Sequence, residues 1–170
     1  MLYNKPSGSS PWVEIMLEKF MGEALALALD NVRSGRGGPF GAVVVRDGEV
    51  IGRGANSVTA GNDPTAHAEI LAIRAACRAL GSFELLDCEI YSSCEPCPMC
   101  LGAIYWARLP RYYYANTRGD AARAGFDDSR IYDEFAELPE LRTVPGERVF
   151  VPEAGQAFDE WARSGAKVPY

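Results

Sequence analysis

Apolar residues in the first forty positions recur with a helical period. Val13, Met16, Leu17, Phe20, Ala24, Leu27 and Ala28 fall on one face, as expected of a helix packed along one side. Ser10 suits an N-cap and Pro11 the first helical position,, so the helix is expected to run from there to Ser34-Gly35. The pattern then changes. Two β-branched runs flank Asp47-Gly48, a strong hairpin signal, and predict strands over 41–46 and 49–55. Helical spacing returns with Asp63 as cap and Pro64 as first helical residue. Ala66, Ile70, Ile73, Cys77 and Leu80 share a face, and Gly81 ends the helix,. A short strand over Glu89–Ser92, an apolar helix from Cys97 to Ala107 stopped by Pro110, and a strand at "RYYYAN" complete the order α-β-β-α-β-α-β. That order predicts an α/β fold, a three-layer α/β/α sandwich with a mixed sheet. Farther on, residues 120–136 read as short helices. "ERVFV" reads as a final strand or an extended connection, and "AGQAFDEWARSGA" as an amphipathic helix. Residues 1–10 form a flexible leader in this reading, and 11–170 a single domain.

Composition narrows the classes. The 170 residues are 48% hydrophobic and 24% charged, a globular mixture. A net charge of −6 argues against tight nucleic-acid binding, which needs a basic surface. No run approaches the roughly 20 apolar residues of a membrane span, and "MLYNKPSGSSP" lacks the apolar core of a secretory signal. Five cysteines without an export signal favour metal or catalytic use over disulfides, and a cytoplasmic protein is expected.

Three of those cysteines stand in "SCEPCPMC", at Cys94, Cys97 and Cys100. Cys97 and Cys100 are i and i+3 at a helix start, where the positive helix end favours thiolates. The chain's one histidine, His67, opens the other helix in "HAE". His67, Cys97 and Cys100 would hold one Zn2+ and leave the fourth position for water, the layout of a catalytic zinc site. Glu69 is placed to move protons without binding the metal. H-x-E…P-C-x-x-C is the signature of zinc nucleobase deaminases. A closed structural site with Cys94 as fourth ligand and a redox CxxC are the alternatives. Cys94 is expected to be the thiol outside the site, and Cys77 and Cys88 small core residues. His67 and Glu69, at i and i+2, can flank one site only at a helix end.

"GGPFGAVVV", "NDPTAHAEI", "SCEPCPMCLGAIYWAR" and "AGFDDS" together resemble the bacterial guanine deaminases of the cytidine-deaminase-like superfamily, from about residue 12 to Tyr170. The resemblance implies that guanine and water give xanthine and ammonia, with zinc-bound hydroxide attacking C2 and Glu69 shuttling protons. It also implies a purine pocket made by Phe40, Asn56, Ala68, Trp106 and Asp128, with Asp128 joining in proton transfer and Tyr170 closing the site. A homodimer exchanging a C-terminal arm and helix, about residues 137–170, is implied as well. Guanosine deaminase is the nearest rival within the superfamily. A tRNA adenosine deaminase would favour a basic surface, and a non-catalytic zinc-stabilised binding protein would have no use for Glu69.

Overall fold

The structure, a computed structural model, describes residues 11–169. The expected leader, the Ser10 cap and Tyr170 lie outside the described residues. The chain divides into two units, one ending at Asp128 and the other beginning at Ser129.

The first unit contains α1 (Pro11–Arg33), β1 (Gly41–Arg46), β2 (Glu49–Ala55), the single turn α2 (Val58–Gly61), α3 (Ala68–Leu80), β3 (Cys88–Cys94), α4 (Pro98–Trp106), β4 (Arg111–Asn116) and α5 (Arg118–Arg123). The sheet order is β2-β1-β3-β4. β1 runs antiparallel to β2 and β3, while β3 and β4 are parallel, so the sheet is mixed as expected. Asp47 and Gly48 both take positive φ, 51° and 78°, the conformation a two-residue type I′ hairpin requires.

Alternation along β1 sorts its side chains into two layers. Val43 and Val45 pack with Phe20 of α1 and Tyr91. Ala42 and Val44 face the opposite way, into a cluster with Ala68, Ala72, Ile73 and Ala76 of α3, Ile90 of β3 and Ile104 of α4. Each fully buried valine stabilises the sandwich by about 1.5–3 kcal/mol. β2 has glycines at two same-face positions, and α3 lies directly against its backbone. A Cβ on Gly54 would stand 2.0 Å from the Ala68 carbonyl oxygen, and one on Gly52 2.4 Å from that of Ala72.

Three elements have bounds that differ from the sequence reading. α3 begins at Ala68, not Pro64. The Asp63 carboxylate accepts from the Thr65 N–H at 2.8 Å and its hydroxyl at 2.7 Å, so it closes a local turn instead of capping a helix. α4 begins at Pro98, leaving Cys97 as an extended N-cap. β3 extends past the expected 89–92 at both ends.

The second unit contains α6 (Ser129–Ala136), a 3₁₀ turn (Pro139–Leu141) and α7 (Gln156–Arg163). "ERVFV" forms no strand; it lies in a stretch without regular structure.

Candidate functional site

Two helix starts face one another at the end of β3. His67 is the N-cap of α3 with extended φ −71° and ψ 156°. Cys97 is the N-cap of α4, at φ −66° and ψ 168°. Neither side chain makes a capping hydrogen bond. Because His67 stands outside the helix, the i, i+2 difficulty disappears: an extended residue and a first-turn residue, Glu69, can aim at one point.

The His67 Nδ1 lies 3.5 Å from both Cys97 Sγ and Cys100 Sγ, and the three ligand atoms all fall within 4.8 Å of one another. For zinc with Zn–S near 2.3 Å and Zn–N near 2.0–2.1 Å, a tetrahedron has ligand edges of roughly 3.5–3.8 Å. The donor set and spacing therefore fit zinc, and His67, Cys97 and Cys100 are placed to hold it. Electrostatics agree. A hydrogen bond from Cys100, with help from His67, draws the Cys97 thiol down to about 4. Cys100 is pushed up, by its bond to Cys97 and by burial. His67 is raised by its hydrogen bond to Cys97. Two thiols and an imidazole are thus sharing protons that a cation would displace.

Glu69 is 5% exposed. Burial raises its pKa. Its Oε1 accepts from the Ser92 hydroxyl at 2.9 Å and its Oε2 from the Cys100 thiol at 3.4 Å. The carboxylate therefore borders the metal residues without adding to their donor set.

Cys94 is apart from them. Its buried thiol donates to the Thr117 carbonyl at 3.5 Å, and burial pushes it up to about 11. Cys88 is fully buried and Cys77 packs against the core as expected.

The other expected residues are differently placed. Phe40 meets Phe126 edge to face, with centroids 5.0 Å apart. Asn56 is tied to the same loop. Its N–H donates to the Phe40 carbonyl at 3.0 Å, and its Oδ1 accepts from the Gly38 and Val58 amides at 3.4 Å. Asn31 of α1, 3% exposed, donates both amide hydrogens, to the Gly38 and Asn56 carbonyls at 2.9 and 2.8 Å. Asp128 is half-buried, and its carboxyl is raised by desolvation and then by the Cys97 charge. Ala68 is fully buried at the α3–β2 contact. Trp106 is 66% exposed at the last position of α4, about 9 Å along the axis from Cys100.

Sequence reasoning missed Ser92 and Asn31. Ser92 had a signal, a hydroxyl inside a buried strand that runs into the cysteine motif. Asn31 had none, being one polar residue near the end of an amphipathic helix.

Comparison with known proteins gives concordant results. The cytidine and deoxycytidylate deaminase zinc-binding region matches residues 15–116. Guanine deaminase of Bacillus subtilis (strain 168) is 53% identical over 153 residues, 90% of this chain and 98% of that protein. The X-ray structure of guanine deaminase from Bacillus subtilis superposes with a TM-score of 0.88, again at 53% identity, covering 90% of this chain and 98% of that one. A protein solved in complex with 2,6-diaminopurine has a TM-score of 0.63 and 34% identity, covering 71% of this chain and 72% of its own.

Proposed function

The chain belongs to the cytidine and deoxycytidylate deaminase zinc-binding family and, within it, to the guanine deaminases, and we infer from its site that it converts guanine and water to xanthine and ammonia. The observation that carries this is a buried carboxylate beside a three-donor zinc cluster, with Glu69 Oε2 3.4 Å from Cys100 Sγ.

Zinc, when bound by His67, Cys97 and Cys100, supplies a water acidic enough to be a nucleophile near pH 7. Glu69 then accepts a proton at Oε2 and returns it to the departing amine. Burial raises its affinity for that proton, as a carrier working near neutrality requires. Asp128, also raised by desolvation, is the second group in reach of a substrate proton. Phe40 and Phe126 offer aromatic surface to a flat base. With its Oδ1 engaged by backbone amides, Asn56 meets the acceptor edge of the purine through its Nδ2 donors. Ala68 lies between the metal ligand and the proton carrier and fixes the backbone there.

Ammonia release on guanine and guanosine, measured side by side, tests the reading. Turnover of guanine alone supports it. Turnover of guanosine with guanine inert assigns the site to nucleosides and overturns it.

The same reading extends to a homodimer that exchanges its C-terminal segment, with Tyr170 closing the partner's site. Exposed Tyr105, Trp106, Tyr112 and Tyr114 on α4 and β4 support it, as do exposed Phe150, Phe158 and Trp161 in the second unit. Light scattering on the intact chain and on one ending at residue 136 checks it; a monomeric intact chain refutes it. The five free cysteines support a reducing compartment, and the acidic charge supports a partner other than nucleic acid. Among the described residues no helix is long and apolar enough to cross a membrane.

A further inference from the structure

We propose that Ser92 is the positioning residue of the proton carrier, holding the Glu69 carboxylate so that one oxygen is fixed and the other faces the metal residues. The proposal rests on the assignment of proton transfer to Glu69.

Ser92 lies on β3, paired with Ala42 of β1 and Tyr114 of β4. Strand alternation gives it the same face as Ile90, whose side chain joins the α3–α4 core,. It is 2% exposed, in a place where an apolar residue would be ordinary. A buried hydroxyl is costly without a partner, and this one donates to Glu69 Oε1 at 2.9 Å. The adjacent Ser93 points to the opposite face, where its Oγ accepts from the Gly41 N–H at 3.0 Å. The two serines therefore have separate duties, and only Ser92 reaches the site.

The terminal torsion of a glutamate is broad and two-fold. Burial alone would leave the Glu69 carboxylate free to turn and to present either oxygen, or neither, to the substrate. The Ser92 hydroxyl holds one oxygen, Oε1, at 2.9 Å, and the other, Oε2, lies on the side of Cys100, 3.4 Å from its sulfur. By pinning Oε1, Ser92 leaves Oε2 facing the reacting atoms through both proton transfers.

Ser92→Ala and Ser92→Thr, assayed with guanine beside Glu69→Gln, test this. The expected result for Ser92→Ala is a fall in kcat of about 10-fold or more, with KM and zinc content unchanged. Threonine, which keeps the hydroxyl, restores kcat to within about 3-fold. If alanine prevents folding, Ser92→Cys is read in its place, because it keeps the shape and weakens the donor. A kcat within 2-fold of the parent enzyme in the alanine variant overturns the proposal. So does a loss of zinc, or a rise in KM matching the fall in kcat, since either makes Ser92 a general support of the site. If Glu69→Gln itself turns over guanine, the underlying assignment fails. An inactive Glu69→Gln beside a fully active Ser92→Ala removes only the role of Ser92.

Discussion

An alanine at position 54 would place its methyl carbon 2.0 Å from the Ala68 carbonyl oxygen and 2.6 Å from the Ala72 amide nitrogen. Ordinary contact begins at 3.4 Å, so the first approach falls short by about 1.4 Å,. Both obstacles are helix backbone and cannot swing aside. Either α3 retreats from β2 or β2 bends away. Overpacking of this kind costs about 1–3 kcal/mol, which for a chain of this length lowers Tm by roughly 2–12 °C. The functional effect should be larger than the loss of stability suggests. Ala68 sits between His67 and Glu69, and a displacement near 1 Å of catalytic groups costs on the order of 10²-fold in rate. Gly54→Ala is thus expected to melt several degrees lower and to lose most of its guanine turnover at temperatures where it remains folded. Gly102→Ala is the control. A Cβ there has nothing within 4 Å, and alanine in the α4 interior should add about 0.5–1 kcal/mol. Calorimetry, metal analysis and steady-state kinetics on the two variants decide the matter. A Gly54→Ala protein with parental Tm and kcat would refute the claim that backbone contact between β2 and α3 sets the position of the site.

Replacing Glu69 with Gln should leave zinc stoichiometry intact and lower kcat by about 10²–10⁴-fold, measured by metal analysis and ammonia release. Cys94→Ala should leave the zinc content at one per chain, because its thiol is held by Thr117 and pushed up to about 11; a drop in metal content would make Cys94 a ligand after all. Asn56→Asp exchanges the free donors for acceptors and should raise KM for guanine by about 10-fold or more, with zinc retained. Metal-free protein should release protons when it takes up zinc. Cys97 is depressed and already ionised near neutrality, whereas Cys100 is raised from 9.0 and His67 from 6.5. Zinc affinity should therefore rise with pH, about tenfold per unit for each proton released. Calorimetry in buffers of different ionisation enthalpy counts those protons, and an affinity independent of pH would be the contrary result.

The elements that position the site were largely legible because each carries its own periodic or turn signal. The α1 stripe, the Asp47-Gly48 hairpin and the apolar run of α4 need no tertiary information to be recognised. The metal residues were legible for a different reason: few other arrangements explain cysteines three apart beside a lone His-x-Glu. Harder to read was the first turn of α3. Asp63 and Pro64 are good starting residues, but the Asp63 carboxylate is taken up by Thr65, and that local competition cannot be weighed from the letters alone. Ser92 and Ser93 illustrate a second limit. Adjacent strand residues face opposite layers, and which of them meets Glu69 depends on the register of β3 against β1, a long-range property. Asn31 reaches across 25 residues to the Asn56 carbonyl, and nothing local announces that contact.

Both helices that hold the metal residues begin at the site and lead away from it. α3 closes at Gly81, about 20 Å farther on, and α4 at Ala107, about 13 Å farther on. The connections that follow them lie remote from the metal residues and Glu69. Length can therefore be added there, for example between the exposed Leu86 and Asp87, with no demand on the geometry of the chemistry. Buried Leu85 and Leu109 nearby mark where such an insertion must not reach. A fused domain or an immobilisation tether belongs at that end of the first unit, away from the metal residues and Glu69.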